Sequence, residues 1–475
     1  MQNILKRLFS QDWFVQLLLL GLYLLIALIL LSPIFSNQMV PIANNDFALN
    51  DYGNHIASIV QAKMALAQGQ FPLRVAPMEA GGWGYPLFQL YSSTSYTIAG
   101  IIYQWITPGN PFVAYKLTII LFLLLGGSYM YRLAKEFVGS KTIAVLASVV
   151  YLTTPYSICL VSYLSYFNEI LAMGLLPCVI YYSWRCYAEP KNNYFVFMAG
   201  FFWYLLITVH LISYLALTFF LMIFFVLIAQ QEKKWRSVLP VVCAYGFGCL
   251  LAIWYLAPLL QIEQYLNVRL GFGSIVKIFN AFSPSLAYLF SPLSHFNVPV
   301  DVSSNHLYIV VQPGLGLPIM LAMGMGLYLF FKRIWNGRLG IHAQQSNFFV
   351  GHVCPTYSAL LILFVMTFFI VWSPINFWAW LPKSFQVIEL SQRVLLQLSW
   401  MGALLFAIVL AWFTNGKVSI RQCIIGIIVL MLSTSPWYFG SFMHWARVSS
   451  IVHYPYLDNS RKNAYMIFFR CVIRP

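Results

Sequence analysis

An all-α protein that crosses a membrane many times is what this sequence predicts, on three observations. Of its 475 residues 61% are hydrophobic, 18% aromatic and only 8% charged, too little polar surface to cover a water-soluble globule of that size. Apolar runs near twenty residues recur along the chain, beginning with Phe14 to Pro33. In hydrocarbon such runs select helices, because every backbone N–H and C=O must be satisfied within its own segment. The 27 Lys and Arg fall in short clusters between the runs instead of in one basic patch, so the net charge of +15 reads as topology signal and gives no reason to expect nucleic acid as a partner.

The first run follows Lys6 and Arg7 as a signal peptide would. It is longer than a signal peptide's apolar core and lacks a small-residue cleavage site, which predicts an uncleaved anchor. Further spans are expected near 112–132, 142–158, 170–187, 194–210, 211–230, 238–261, 307–331, 356–373, 393–413 and 419–437, giving eleven and placing the chain ends on opposite sides. With the N-terminus inside, the inner loops carry Lys6/Arg7, Arg132/Lys135/Lys141, Arg185/Lys191, Lys233/Lys234/Arg236, Lys332/Arg333/Arg338 and Lys417/Arg421. That is fifteen of the 27 basic residues in mostly short loops, as the positive-inside rule requires. The apolar stretch Tyr85 to Ile106 would reverse this pattern as a span, so it is expected to lie along the outer membrane surface. The layout is a transmembrane domain over 1–437 with long outer segments at 37–111 and 262–306, and an outer tail over 438–475; long loops are where function is expected. Eight cysteines show no C-x-x-C pairing and read as small buried apolar residues.

Only 12 Asp and Glu occur in the chain, and an acid near lipid is costly unless solvated, paired or used. Asp12, Glu136, Glu189 and Glu232 fall on the inner side. The densest outer group is Asp46, Asp51 and His55 in N-N-D-F-A-L-N-D-Y-G-N-H. A helix from Asp51 would rest Ile56, Ile59, Val60, Met64 and Ala67 on the membrane and turn Asp51, His55, Ser58 and Ala62 toward a cleft. A carboxylate with an imidazole one turn away can take a proton from a hydroxyl, or hold a divalent ion with Asp46 as a further ligand. The competing structural role is Asp51 as a helix cap with His55 as its i+4 partner. Glu169 stands at the outer mouth of its span as a supporting acid or a helix-start residue. Arg393, next to Gln392, could grip a phosphate at the lipid boundary, or snorkel and pair with Glu389. His210 reads as a satisfied turn residue at the outer surface. Arg269 and Lys277 precede the aromatic S-P-S-L-A-Y-L-F-S-P-L, expected as an interfacial helix.

The segments D-Y-G-N-H, G-Q-F-P-L-R-V-A-P and G-G-W-G-Y-P-L-F-Q-L-Y resemble the first outer loop of a bacterial integral-membrane family known as pyruvoyl-tetrahydropterin-synthase-related, whose members look like GT-C fold glycosyltransferases. R-L-A-K-E-F-V-G-S-K, N-E-I-L-A-M-G-L-L-P and S-F-Q-V-I-E-L-S-Q-R-V-L-L extend the resemblance over most of residues 40–400. It implies a GT-C-like fold in the bacterial cytoplasmic membrane and a polyprenyl-phosphate sugar as donor. By the same resemblance Asp51 or Asp46 is the catalytic base or a metal ligand, with His55 and Glu169 as further catalytic residues. Arg393 with Gln392 is placed on the phosphate, with Arg269 or Lys277 helping. The family often continues into an outer soluble domain, where this chain ends in R-K-N-A-Y-M-I-F-F-R-C-V-I-R-P, which implies a shortened tail. The rival readings are a non-catalytic scaffold of the same fold and a transporter or flippase. A transporter would be expected to show repeated halves and mid-span charges; the sequence has no internal repeat and few mid-span charges.

Overall fold

A computed structural model describes residues 12–34, 51–263, 284–293, 313–338, 353–375, 380 and 391–451. Its helices of eight or more residues are α1 (Asp12–Leu31), α2 (Tyr52–Ala67), α3 (Thr94–Ile101), α4 (Pro111–Val138), α5 (Lys141–Leu152), α6 (Phe167–Ala188), α7 (Asn193–Val209), α8 (Leu211–Glu232), α9 (Val238–Leu251), α10 (Ile253–Glu263), α11 (Leu317–Arg338), α12 (Val353–Trp372), α13 (Leu395–Thr414) and α14 (Ile420–Ile451). Among the described residues there is no strand beyond an isolated bridge between Ala76 and Tyr85. Ten of the eleven expected spans coincide with one helix or with a bent pair; of the one expected at 307–331, residues 307–312 lie outside the described residues and the helix runs Leu317–Arg338. Five helices are long and apolar enough to cross a bilayer unbroken, and two bent pairs raise that number to seven. The chain is therefore a multi-pass α-helical membrane protein.

Two of the expected spans are broken. The span expected at 142–158 bends by 48° between α5 and the segment 155–164, where Pro155 starts a new turn and the Thr154 side chain caps it by accepting from the Ser157 N–H. The freed polar groups there are satisfied inside the protein, Thr154 lying within hydrogen-bond reach of Ser157 and Ser399. The span expected at 238–261 bends by 65° between α9 and α10. The last helix continues to Ile451, past residue 437, where the last span was expected to end.

The core is a buried α6 enclosed by its neighbours. It packs most extensively on α4, and Gly174 makes this possible: a Cβ there would lie 2.4 Å from the Phe122 carbonyl oxygen, with Gly126 facing it across the contact. This backbone-to-backbone approach fixes how far α6 rises along α4, and with it the position of Glu169 in the first turn of α6. At the other end of the same two helices Arg185 binds Glu136 at 2.9 Å and also pairs with Glu189, while Tyr187 donates to Glu232 at 3.3 Å. Three of the four acids assigned to one side, Glu136, Glu189 and Glu232, therefore gather at one end of these helices.

Helix α2 corrects its expected placement. Its apolar stripe does not lie free for the membrane: Ile56 and Ile59 are buried inside the protein, against α3 and α4. The stretch Tyr85 to Ile106 forms short helices and not a span, as expected. Phe88, Tyr96 and Ala99 are buried in the core while Trp105 and Ile106 face outward, so the described part of the first loop, from residue 51 on, is a packed cap on the bundle.

Candidate active site

Two contacts stitch the start of α2 to the start of α6. The Asp51 N–H donates to the Leu164 carbonyl at 3.2 Å, and the Phe167 N–H donates to His55 Nε2 at 3.2 Å. Between them the chain turns sharply through Ser165, in the left-handed region at φ 54°, which aims Tyr166, Phe167, Asn168 and Glu169 into the protein. Asp51 and Glu169, 118 positions apart in sequence, are thereby brought to one neighbourhood.

His55 is already committed. Because Phe167 donates to Nε2, the proton sits on Nδ1 and is donated to the Tyr96 hydroxyl at 2.7 Å. Burial lowers its pKa to about 3, so the ring is neutral and both nitrogens are used. His55 was expected as a proton acceptor or metal ligand; in this structure neither ring nitrogen is left for that, and the ring ties the first loop to α6. The expected pairing of His55 with Asp51 does not form either. Asp51 holds the cap position of α2, yet its side chain makes no capping hydrogen bond, which leaves the carboxylate free of the structural role proposed for it. Burial raises its pKa above the ordinary carboxylate value, while the Arg393 charge and the neighbouring Asn54 pull it back.

Arg393 closes the site from the far side. It stands in the 3₁₀ turn Ser391–Val394 that opens α13, a helix buried along almost its whole length. The guanidinium therefore adds its charge to the positive end of a helix, a combination that favours anions. Its Nε lies 3.6 Å from Glu169 Oε2, and the Tyr166 ring lies 5.6 Å beneath it. Glu389, the partner expected from sequence, lies outside the described residues; Glu169 takes that place. Glu169 is 1% exposed and its Oε1 accepts from the Tyr156 hydroxyl at 2.5 Å. Among the described residues, Arg393 Nε and Glu169 Oε2 make no hydrogen bond of normal geometry to each other or to any other group. Gln392 is buried beside them in sequence. His210 is indeed a satisfied turn residue, its Nδ1 2.7 Å from the Ser213 hydroxyl, but it is buried where surface exposure was expected.

Asp46, Arg269 and Lys277 lie outside the described residues. Of the expected metal set, Asp46 lies outside the described residues and both His55 nitrogens are used; among the described residues no three His, Cys, Asp or Glu side chains converge. Sequence reasoning missed Tyr91, Tyr156 and Asn168. Only Asn168 had a signal, its place beside Glu169 in N-E-I-L-A-M.

No protein-family model matches the chain, so the family suggested by its motifs stays a resemblance, and no curated protein matches it. Among solved structures the chain is similar to ArnT from Cupriavidus metallidurans bound to undecaprenyl phosphate, at 11% identity and a TM-score of 0.48, over 91% of this chain and 76% of that one. It is also similar to the apo oligosaccharyltransferase of Archaeoglobus fulgidus, at 12% identity and a TM-score of 0.47, over 92% of this chain and 57% of that one.

Proposed function

We propose that the chain is a GT-C-type membrane glycosyltransferase that moves a sugar from a polyprenyl-phosphate carrier to an envelope acceptor at the outer face of the bacterial cytoplasmic membrane, with its N-terminus inside and its C-terminus outside. The observation that carries this reading is Arg393: a guanidinium at the positive end of a buried helix, neutralised by one loose contact to Glu169 and within electrostatic reach of Asp51. A lipid-linked phosphate donor needs a cation at headgroup depth and a base beside it, and this pair supplies both.

In the reaction Asp51 accepts the proton of the acceptor hydroxyl as that oxygen bonds to the anomeric carbon. The bond from this carbon to the phosphate oxygen breaks, its electron pair leaves with the phosphate, and Arg393 takes up the developing charge. Attack from the face opposite the leaving group inverts the anomeric centre. A raised pKa makes Asp51 a stronger base than a solvent-exposed carboxylate. Asp46 is the alternative base, and Arg269 and Lys277 are further phosphate contacts in this reading.

The test is sugar transfer from a radiolabelled polyprenyl-phosphate sugar pool to envelope material, in membranes carrying the native chain, Asp51→Asn, Asp46→Asn or Arg393→Gln at matched protein levels. Transfer should depend on the native chain and fall by roughly 10²–10⁴-fold when the base is removed. Equal transfer in all of these and in membranes without the chain rejects the proposal.

A further inference from the structure

We infer that Asn168 and Tyr91 form the subsite that holds the sugar ring of the donor; this rests on the transferase reading above and goes beyond it. Asn168 is 1% exposed, and among the described residues neither its Nδ2 nor its Oδ1 has a hydrogen-bond partner of normal geometry; the hydroxyls of Tyr91 and Tyr96 lie near it without completing it. Its neighbours on both sides are held, Phe167 through its N–H by His55 and Glu169 through its carboxylate by Tyr156. A buried amide left without partners costs stability, and the cost is sustained where a ligand completes the hydrogen bonds.

Tyr91 supplies the second observation. The charges of Asp51, Arg393 and Glu169 all act on its hydroxyl, which lies near the Asn168 amide, and burial pushes its pKa up to about 12. Yet 43% of the residue is solvent accessible. Crowding by protein together with an open surface describes the wall of a cleft, and the ring stands parallel to His55, with centroids 6.4 Å apart.

The chemistry of the pair selects a carbohydrate over a bare phosphate. An amide presents donors and an acceptor side by side, matching adjacent hydroxyls, whereas its carbonyl oxygen repels an anion. An aromatic face accepts the apolar C–H face of a pyranose. Together they place a sugar between the base Asp51 and the phosphate held by Arg393, and they would discriminate by hydroxyl arrangement.

The experiment uses the full chain in detergent, the polyprenyl-phosphate lipids extracted from its host's membranes, and purified free polyprenyl phosphate as a separate ligand. Retention of each lipid is measured by mass spectrometry for the native chain, Asn168→Leu, Tyr91→Ala and Arg393→Gln, with the Tm of each. Asn168→Leu and Tyr91→Ala should lose retention of the glycosylated lipid by about tenfold, equivalent to 1.4 kcal/mol, and keep that of free polyprenyl phosphate; Asn168→Leu should have an unchanged or higher Tm. Arg393→Gln should lose both lipids. Native-like retention of the glycosylated lipid by Asn168→Leu, or a lowered Tm with equal loss of both lipids, overturns the subsite and leaves the transferase reading standing. A native chain that retains neither lipid overturns the transferase reading itself, and the subsite with it.

Discussion

Glu169→Gln is the substitution that tests how the site is held ready. Glutamine keeps the shape and can still accept from Tyr156, so what is removed is the charge facing Arg393. At 3.6 Å, and with an effective dielectric constant near 20, the lost attraction is about 4–5 kcal/mol. Desolvation of the two groups cancels part of it, and Arg393 retains 18% side-chain exposure, so the expected net loss of stability is about 2–4 kcal/mol. The same change frees Arg393 for an external anion, and polyprenyl phosphate should bind about tenfold more tightly, or about 1.4 kcal/mol. The assay is a double-mutant cycle of Glu169→Gln with Arg393→Gln by denaturant unfolding in detergent, alongside lipid retention. Coupling below about 0.5 kcal/mol, together with unchanged lipid affinity, would refute the claim that Glu169 holds Arg393 in a neutralised state.

Three further outcomes follow from the same geometry. Transfer activity should rise with pH through an acid limb lying above the ordinary carboxylate range, because Asp51 must lose its proton to act and burial raises its pKa; in Arg393→Gln any residual activity should show that limb at still higher pH, since the Arg393 charge holds it down. In stability terms the raised pKa favours the fold while Asp51 is protonated, and this contribution is lost as pH climbs through the folded value. His55 has the opposite sign: its pKa is depressed from 6.5 to about 3, so stability is full above 6.5 and falls as pH drops toward 3, and His55→Phe should flatten that acid loss while costing about 2–4 kcal/mol by orphaning Tyr96 and the Phe167 N–H, read out by Tm across pH. Gly174→Ala should force α4 and α6 apart against the Phe122 carbonyl, costing about 1–3 kcal/mol and lowering transfer by moving Glu169; an unchanged Tm would mean the two helices do not meet as closely as described.

The membrane fold was legible because it rests on composition and period, which are local. Each expected span has its helix, and the acids Glu136, Glu189 and Glu232 gather near Arg185 and at the same end of α6 and α4 as the positive-inside count grouped them. What stayed hidden depends on contacts between distant segments. Nothing in D-x-x-x-H shows that the imidazole will find Tyr96 and the Phe167 backbone instead of Asp51. Likewise the local sequence offers Arg393 the nearby Glu389, and only the packing of α13 against the bent α5 region presents Glu169. The breaks at Thr153 and Ala252 were missed for a related reason: an apolar run reads as one span whether or not neighbouring helices satisfy a bend within it.

The distribution of unsatisfied groups then separates the site from the scaffold. Elsewhere in the bundle some buried hydroxyls find each other, as Tyr23 does with Ser148 and Tyr129 with Tyr182, while Tyr52 and Ser183 do not, and Arg185 shows that the chain can surround a guanidinium with two carboxylates. Yet of the ten buried side-chain polar atoms without a partner among the described residues, half belong to Ser165, Asn168, Glu169 and Arg393. Folding alone gives no reason to leave these groups incomplete at the one place where α2, α6 and α13 all begin. A charged, hydroxyl-bearing ligand that enters there would complete them, which is why the stability of Asn168→Leu and the affinity of Glu169→Gln are expected to move in directions opposite to those of an ordinary core substitution.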